Sequence, residues 1–262
     1  MMGFTKTIYY RVASDYFAKD RMSEYIKLLK HAINNGYSLM TLKDYFLNLR
    51  QLPPYVIIIR HDIDTDPVKA RMFYEVEKSL GTVGSYYFRL ATLDFNLMKE
   101  IELWGGEASY HFEEIATYAK ENKIHNVESL RENIEQIQLK FIKNYLNIKY
   151  STKLPMLSVA SHGDFVNRKL KMVNYELLNQ SIREQCEIIV EAYDSCLKDT
   201  SISISDTLAP KYWRPFSPLD AVDNKEHVIY LLTHPRHWGA NWIVNTKDNA
   251  NRLYEGVRFR IM

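Results

Sequence analysis

Ionisable side chains in this chain recur at one kind of position, immediately after an apolar run. His61, Asp62 and Asp64 follow the run 55–59, and His111, Glu113 and Glu114 follow 107–110. His162 and Asp164 follow 156–160, Asp206 follows 201–205, and His234 and His237 follow 227–232. Carboxylates and imidazoles brought together can hold a divalent metal, take a proton from water or give one to a leaving group. Two histidines with one carboxylate match a catalytic zinc sphere, which uses three protein ligands and keeps a position for water. Such an ion lowers the pKa of its water to about 7 and polarises a carbonyl, which is hydrolysis chemistry. His234, in VIYLLTHPRHW, has the ordinary pKa near 6.5 that suits a general acid protonating a departing amine. Trp238 and Trp242 beside it offer faces on which a sugar can stack. Each residue also has a plainer use: Asp64 or Asp66 can cap the next helix, and a histidine at a strand end can simply bond a backbone carbonyl.

The elements that would position these groups alternate. The β-branched run 55–59 after Pro53-Pro54 predicts a strand buried on both faces. A turn at Thr65-Asp66-Pro67 would bring Asp62 and Asp64 to the rim, with Asp66 as N-cap and Pro67 as first residue of a helix to Leu80. Further strands are predicted at 37–39, 85–90, 107–110, 156–160, 187–192, 201–205 and 227–232. Helices are predicted up to Asn35-Gly36, from the N-cap Thr41 to Leu49 and over 94–103. One long amphipathic helix is predicted to carry the stripe Val127, Leu130, Ile134, Ile137, Phe141 and Tyr145 into the core. The tail 249–262 is expected as a final strand or a segment that binds a neighbour. Strands alternating with helices give a mainly parallel α/β sheet or barrel, whose site lies at the C-terminal strand ends.

Composition removes other classes. The 262 residues carry 34 Lys+Arg against 32 Asp+Glu, a net charge of +2 that supplies no field for nucleic acid or a membrane surface. The two cysteines, Cys186 and Cys196, form neither a disulfide framework nor a CxxC motif. No apolar run approaches the roughly 20 residues of a membrane span, and the N-terminal residues do not read as a secretory signal. The expectation is one cytoplasmic domain over 1–262, with no nucleic-acid partner and no membrane span.

In order, RHDID, YHFEE, ASHGD, ISDT…YWRP and VIYLLTHP resemble the polysaccharide deacetylase superfamily. The likeness is to the NodB-type carbohydrate esterase 4 group, especially its divergent cytoplasmic branch associated with bacterial surface-polysaccharide biosynthesis, and it covers roughly 37–242. It implies a distorted (β/α) barrel of about seven strands, NodB-like and related to the TIM barrel. It also implies a metal-dependent hydrolase that removes an acetyl group from an N-acetylated sugar or glycan using one divalent ion, commonly zinc. Carried over by position, Asp62 is the general base, Asp64 and His111 are metal ligands, Asp206 with Trp213 orients the acid, and His234 is that acid. The family's second motif has two histidines four apart, but Ile115 stands at the second place. His162 is then the replacement ligand, with Glu113 or Glu114 as alternatives. Arg60 or Arg214 replaces the arginine that pairs with the base, and Arg60, Trp213, Arg214 and Trp238 are the expected substrate-binding residues. Two other readings accompany this one: a non-catalytic deacetylase-like protein that binds a glycan or a partner, and a hydrolase of another amide, such as a formyl group or a cyclic imide.

Overall fold

In chain order the strands are β1 (Ser38–Met40), β2 (Val56–Ile63), β3 (Ser85–Phe88), β4 (Glu107–Phe112), β5 (Ser158–Ser161), β6 (Val190–Glu191), β7 (Ile202–Asp206), β8 (Trp213–Arg214) and β9 (Val228–Thr233) in a computed structural model that describes residues 2–261. They form one sheet in the order β6-β5-β4-β3-β2-β9-β7-β8. β1 pairs with the first half of β2, Ser38 opposite Val56, and β3 with the second half, Arg60 opposite Ser85. Every pairing is parallel except β7 with β8. The sheet curls into a half-barrel, leaving a seam between its ends at β6 and β7–β8. Nine strands thus stand where about seven were expected, and two of them, β6 and β8, are only two residues long.

β2 is buried at all eight positions, as its apolar run requires for a strand covered on both faces. Alternation sorts its side chains. Ile57, Ile59 and Ile63 join the large core under the helices, whereas Val56 and Ile58 join a smaller cluster with Tyr87, Ala160, Val190 and Tyr230 inside the curl. Continuing that alternation places Arg60 and Asp62 on the inner face and His61 on the helix side.

Local chemistry sets the helix boundaries. Thr41 caps Leu42–Leu47 through Asp44 N, and Asp94 caps Phe95–Leu103 through Leu97 N. Asp66, at φ 56°, caps Pro67–Ser79 by accepting from Lys69 N, with Pro67 at the first turn. The predicted long helix is two, Val127–Glu132 and Ile134–Thr152, divided at Asn133. Asn133 leaves helical geometry while its side chain bonds the Ser129 carbonyl, the local competition that makes Asn a poor helix interior. The predicted strand 187–192 shrinks to β6 because Glu187, at φ 60°, ends the preceding helix Gln180–Cys186. The tail is a helix, Trp242–Ile261, rather than a strand. It packs beside the first helix, Met2–Phe17, and both are tied to the loop after β9 by buried Arg236, which bonds Asp15, Asp248 and Asn249. Among the described residues no helix is long and apolar enough to cross a membrane.

Candidate active site

β2, β4 and β5 are linked through the parallel sheet, so residues at their C-terminal ends meet. Asp64 lies one residue beyond β2, His111 is in the last pair of β4, and His162 is one beyond β5. Asp64 Oδ1 lies 3.2 Å from His111 Nε2 and 2.9 Å from His162 Nδ1, and the two ring nitrogens are 3.2 Å apart. His111 Nδ1 is 2.9 Å from the Ala160 carbonyl, which can only accept, so Nδ1 carries the proton and Nε2 turns a lone pair toward the cluster. Asp64 Oδ1 is buried and makes no hydrogen bond of acceptable direction, although two nitrogens crowd it. Two imidazole nitrogens and a carboxylate oxygen converging on one point are the donor set a divalent cation takes. Ligands about 2.0–2.2 Å from a tetrahedral zinc ion lie roughly 3.3–3.6 Å from one another, close to these separations. Burial disfavours the Asp64 carboxylate, but His162 and His111 hold it well below its usual range.

The alternative ligands are engaged elsewhere. Glu113 receives a forked ion pair from Arg89 at 2.7 and 2.8 Å. Glu114 is buried and accepts from Tyr110 and Asn144. Asp64, His111 and His162 therefore form the group that could hold a metal.

Asp62 lies beside this group, its Oδ2 3.5 Å from His111 Nε2. Arg60, two residues back on the same face of β2, grips both its oxygens, Nε to Oδ1 at 2.7 Å and Nη2 to Oδ2 at 2.8 Å. Burial works against the Asp62 anion, and Arg60, His111 and His234 outweigh it and lower its pKa. Arg60 itself is wholly buried, with its guanidinium carbon 4.5 Å from the Tyr193 ring centre. Of the two expected arginines it is therefore Arg60 that pairs with Asp62. Arg214 is exposed on the seam, lining a groove of about 420 Å³ with Leu197, Ile204 and Tyr230.

Across the site, β7 ends in buried Asp206, and β9 runs into His234. Asp206 Oδ1 is 2.7 Å from His234 Nδ1, and Oδ2 accepts from the His234 backbone N–H at 2.7 Å. Burial disfavours the His234 imidazolium, yet Asp206 overcomes this and raises its pKa to about 9. Asp206 in turn stays far below the usual carboxylate range, with burial opposed by His237 and His234. His237 Nδ1 lies 3.1 Å from Asp206 Oδ1, so Asp206, His234 and His237 also have the residue types for a metal. Here, however, the closest contact is that of a hydrogen bond, with the His234 proton held between ring and carboxylate.

Trp238 is not a sugar platform: it is fully buried against Tyr25, Phe73 and Trp213 and donates its indole N–H to Asp206 Oδ2 at 2.8 Å. Its polar edge supplies the bond that a buried tryptophan needs. Half-buried Trp213 sits opposite Asp206 in the β7–β8 pair. Trp242 is two-thirds exposed at the start of the last helix. His61 leaves the rim altogether; it bonds Thr233 Oγ1 and Glu77 Oε1, both at 2.6 Å, beneath the sheet. Sequence reasoning missed Tyr193, two residues beyond the two-residue β6, and Arg89, the first residue after β3, which the predicted strand 85–90 encloses. No family model, curated protein or solved structure matches the chain.

Proposed function

We propose that this chain is a metal-dependent hydrolase that removes the acetyl group from an N-acetylated sugar or glycan intermediate, in the manner of the NodB-type deacetylases its motifs resemble. The observation that carries the reading is the opposed placement of two proton-handling groups around one cation-ready cluster. Asp62 stands beside Asp64, His111 and His162, and the His234–Asp206 pair lies close enough for Asp62 and Asp64 to contribute to the His234 charge. A divalent ion held by Asp64, His111 and His162, zinc being the natural choice for this donor set, supplies Lewis acidity toward an amide carbonyl and a lowered pKa for water.

The chain's own residues do the rest. Arg60 fixes the Asp62 carboxylate and keeps it ionised, so that Asp62 can take a proton from the attacking water. Asp206 holds the Nδ1 proton of His234, leaving Nε2 to give a proton to the departing sugar nitrogen. A His234 pKa of about 9 keeps that acid charged at neutral pH. Metal analysis of protein purified without chelator, combined with acetate release from N-acetylated sugars, tests the reading. Near-stoichiometric zinc or another divalent ion with acetate release supports it. A protein that neither holds nor takes up an ion refutes it in favour of a glycan-binding role.

A further inference from the structure

Beside Asp64 and His162 lies a cavity of about 640 Å³, walled on its far side by the last helix. Many charged groups line it, and their pairing decides what it can accept. Asp64 belongs to the cluster with His111 and His162, and the other acids are engaged: Asp66 caps a helix and receives Asn241, Asp164 and Glu255 share Lys120, and Asp248 holds Arg236 and Arg252. Arg89 is likewise committed to Glu113. Arg168 and Lys247 line the cavity from opposite elements and meet no carboxylate within 4 Å among the described residues. Thr65, only 6% exposed, lines the same cavity, and its Oγ1 is buried without a hydrogen-bond partner.

The uncommitted groups are thus two cations, which favour an anion, and a hydroxyl, which can donate to one. A phosphoryl group answers them better than a carboxylate, because it offers three acceptor oxygens and up to two charges. A cavity of this size is also ample for a sugar with its substituent.

We propose that the substrate is an N-acetylated sugar carrying a phosphoryl group, which the cavity between Thr65, Arg168 and Lys247 receives while the acetamido group reaches Asp64 and His162. This rests on the deacetylase reading for the sugar end and on the cavity alone for the phosphoryl end.

Calorimetry separates the two. The full-length Asp62→Asn protein loaded with zinc is titrated with N-acetylglucosamine 1-phosphate, N-acetylglucosamine and inorganic phosphate. The sugar phosphate is expected to bind at least tenfold tighter than either of the others. Arg168→Glu and Lys247→Glu, both at exposed positions, should each weaken the sugar phosphate about three- to tenfold and leave the uncharged sugar unchanged, with unaltered melting temperatures. Equal affinity for the two sugars, an advantage that survives both reversals, or inorganic phosphate binding as tightly as the sugar phosphate overturns the inference. Tight sugar-phosphate binding without acetate release by the wild type would sink the deacetylase reading and leave the phosphoryl site standing. Acetate release from both sugars at equal affinity would do the reverse.

Discussion

Replacing Asp206 by Asn keeps the side chain's shape and removes its charge, which isolates what the carboxylate does for His234. In the native protein burial disfavours the imidazolium, and Asp206, 2.7 Å from Nδ1, more than offsets it to give a pKa of about 9. With the carboxylate gone the burial remains, so the His234 pKa should fall to the ordinary value of about 6.5 or below. At about 1.36 kcal/mol per pH unit, that is a loss of roughly 3 kcal/mol in preference for the charged ring. Titration of the histidine ring signals by NMR, on metal-free protein so that no cation repels the imidazolium, reads the change directly. The same substitution predicts a pH-dependent stability difference. A pKa raised on folding stabilises the native state fully below the unfolded value of about 6.5, and this contribution is lost as pH rises through about 9. Denaturant unfolding should therefore show the largest gap between wild type and Asp206→Asn near pH 6. The gap should narrow by pH 9.5 to what the lost acceptor for the Trp238 and His234 N–H groups costs. A native His234 that titrates near 6.5, or one that does not move in the variant, would refute this account.

Four further outcomes follow from the same geometry. Asp64→Asn, His111→Ala and His162→Ala should each abolish the rise in melting temperature that zinc produces in the wild type, because a ligand that binds only the native state stabilises by mass action. Asp62→Asn should retain metal, read by elemental analysis, while acetate release falls by about 10²–10⁴-fold, the usual contribution of a general base. Trp238→Phe should cost about 1–3 kcal/mol in urea unfolding, through the lost hydrogen bond to buried Asp206 Oδ2, which keeps only the His234 N–H, and through lost ring packing, and leave the affinity for sugar unchanged. Glu77→Ala should cost about 3–5 kcal/mol in the same assay, since it leaves His61 and two tyrosine hydroxyls buried without their shared acceptor.

The strand-end carboxylates and imidazoles are legible in the sequence because a parallel strand is an apolar run whose end is marked by the first charges after it. Asp66-Pro67 is legible for a similar reason, as a cap and first-turn proline adjacent in sequence. The direction of the side chains on β2 is not. Alternation sets His61 opposite Arg60 and Asp62, but a strand buried at every position shows no polar face, so nothing in RHDID says which set turns inward and which turns to the helix side. That information resides in Glu77, sixteen residues on, and in Thr233, 172 residues away. The choice of His162 over Glu113 is equally non-local: Glu113 is withdrawn by Arg89, twenty-four residues earlier. Trp238 shows the limit for aromatic residues. Its type suits a sugar face and a buried hydrogen-bonded anchor alike, and only its surroundings in space separate the two.

His61 and Thr233 are direct partners in the β2–β9 register, and their side chains bond on the helix side of the sheet. The next residue of each strand, Asp62 and His234, is therefore fixed in height at the rim by the same pairing. A slip of one residue between the strands would separate His61 from Thr233 and would also shift Asp62 relative to His234. Glu77 reinforces this register by accepting from Tyr25, Tyr86 and His61, which binds the second helix, Met22–Asn34, and β3 to the underside of β2. The buried His61–Glu77 pair therefore belongs to the site, although it faces away from it. It sets the spacing between Asp62 and His234, and leaves the upper face free for Arg60 and Asp206 to set their charges.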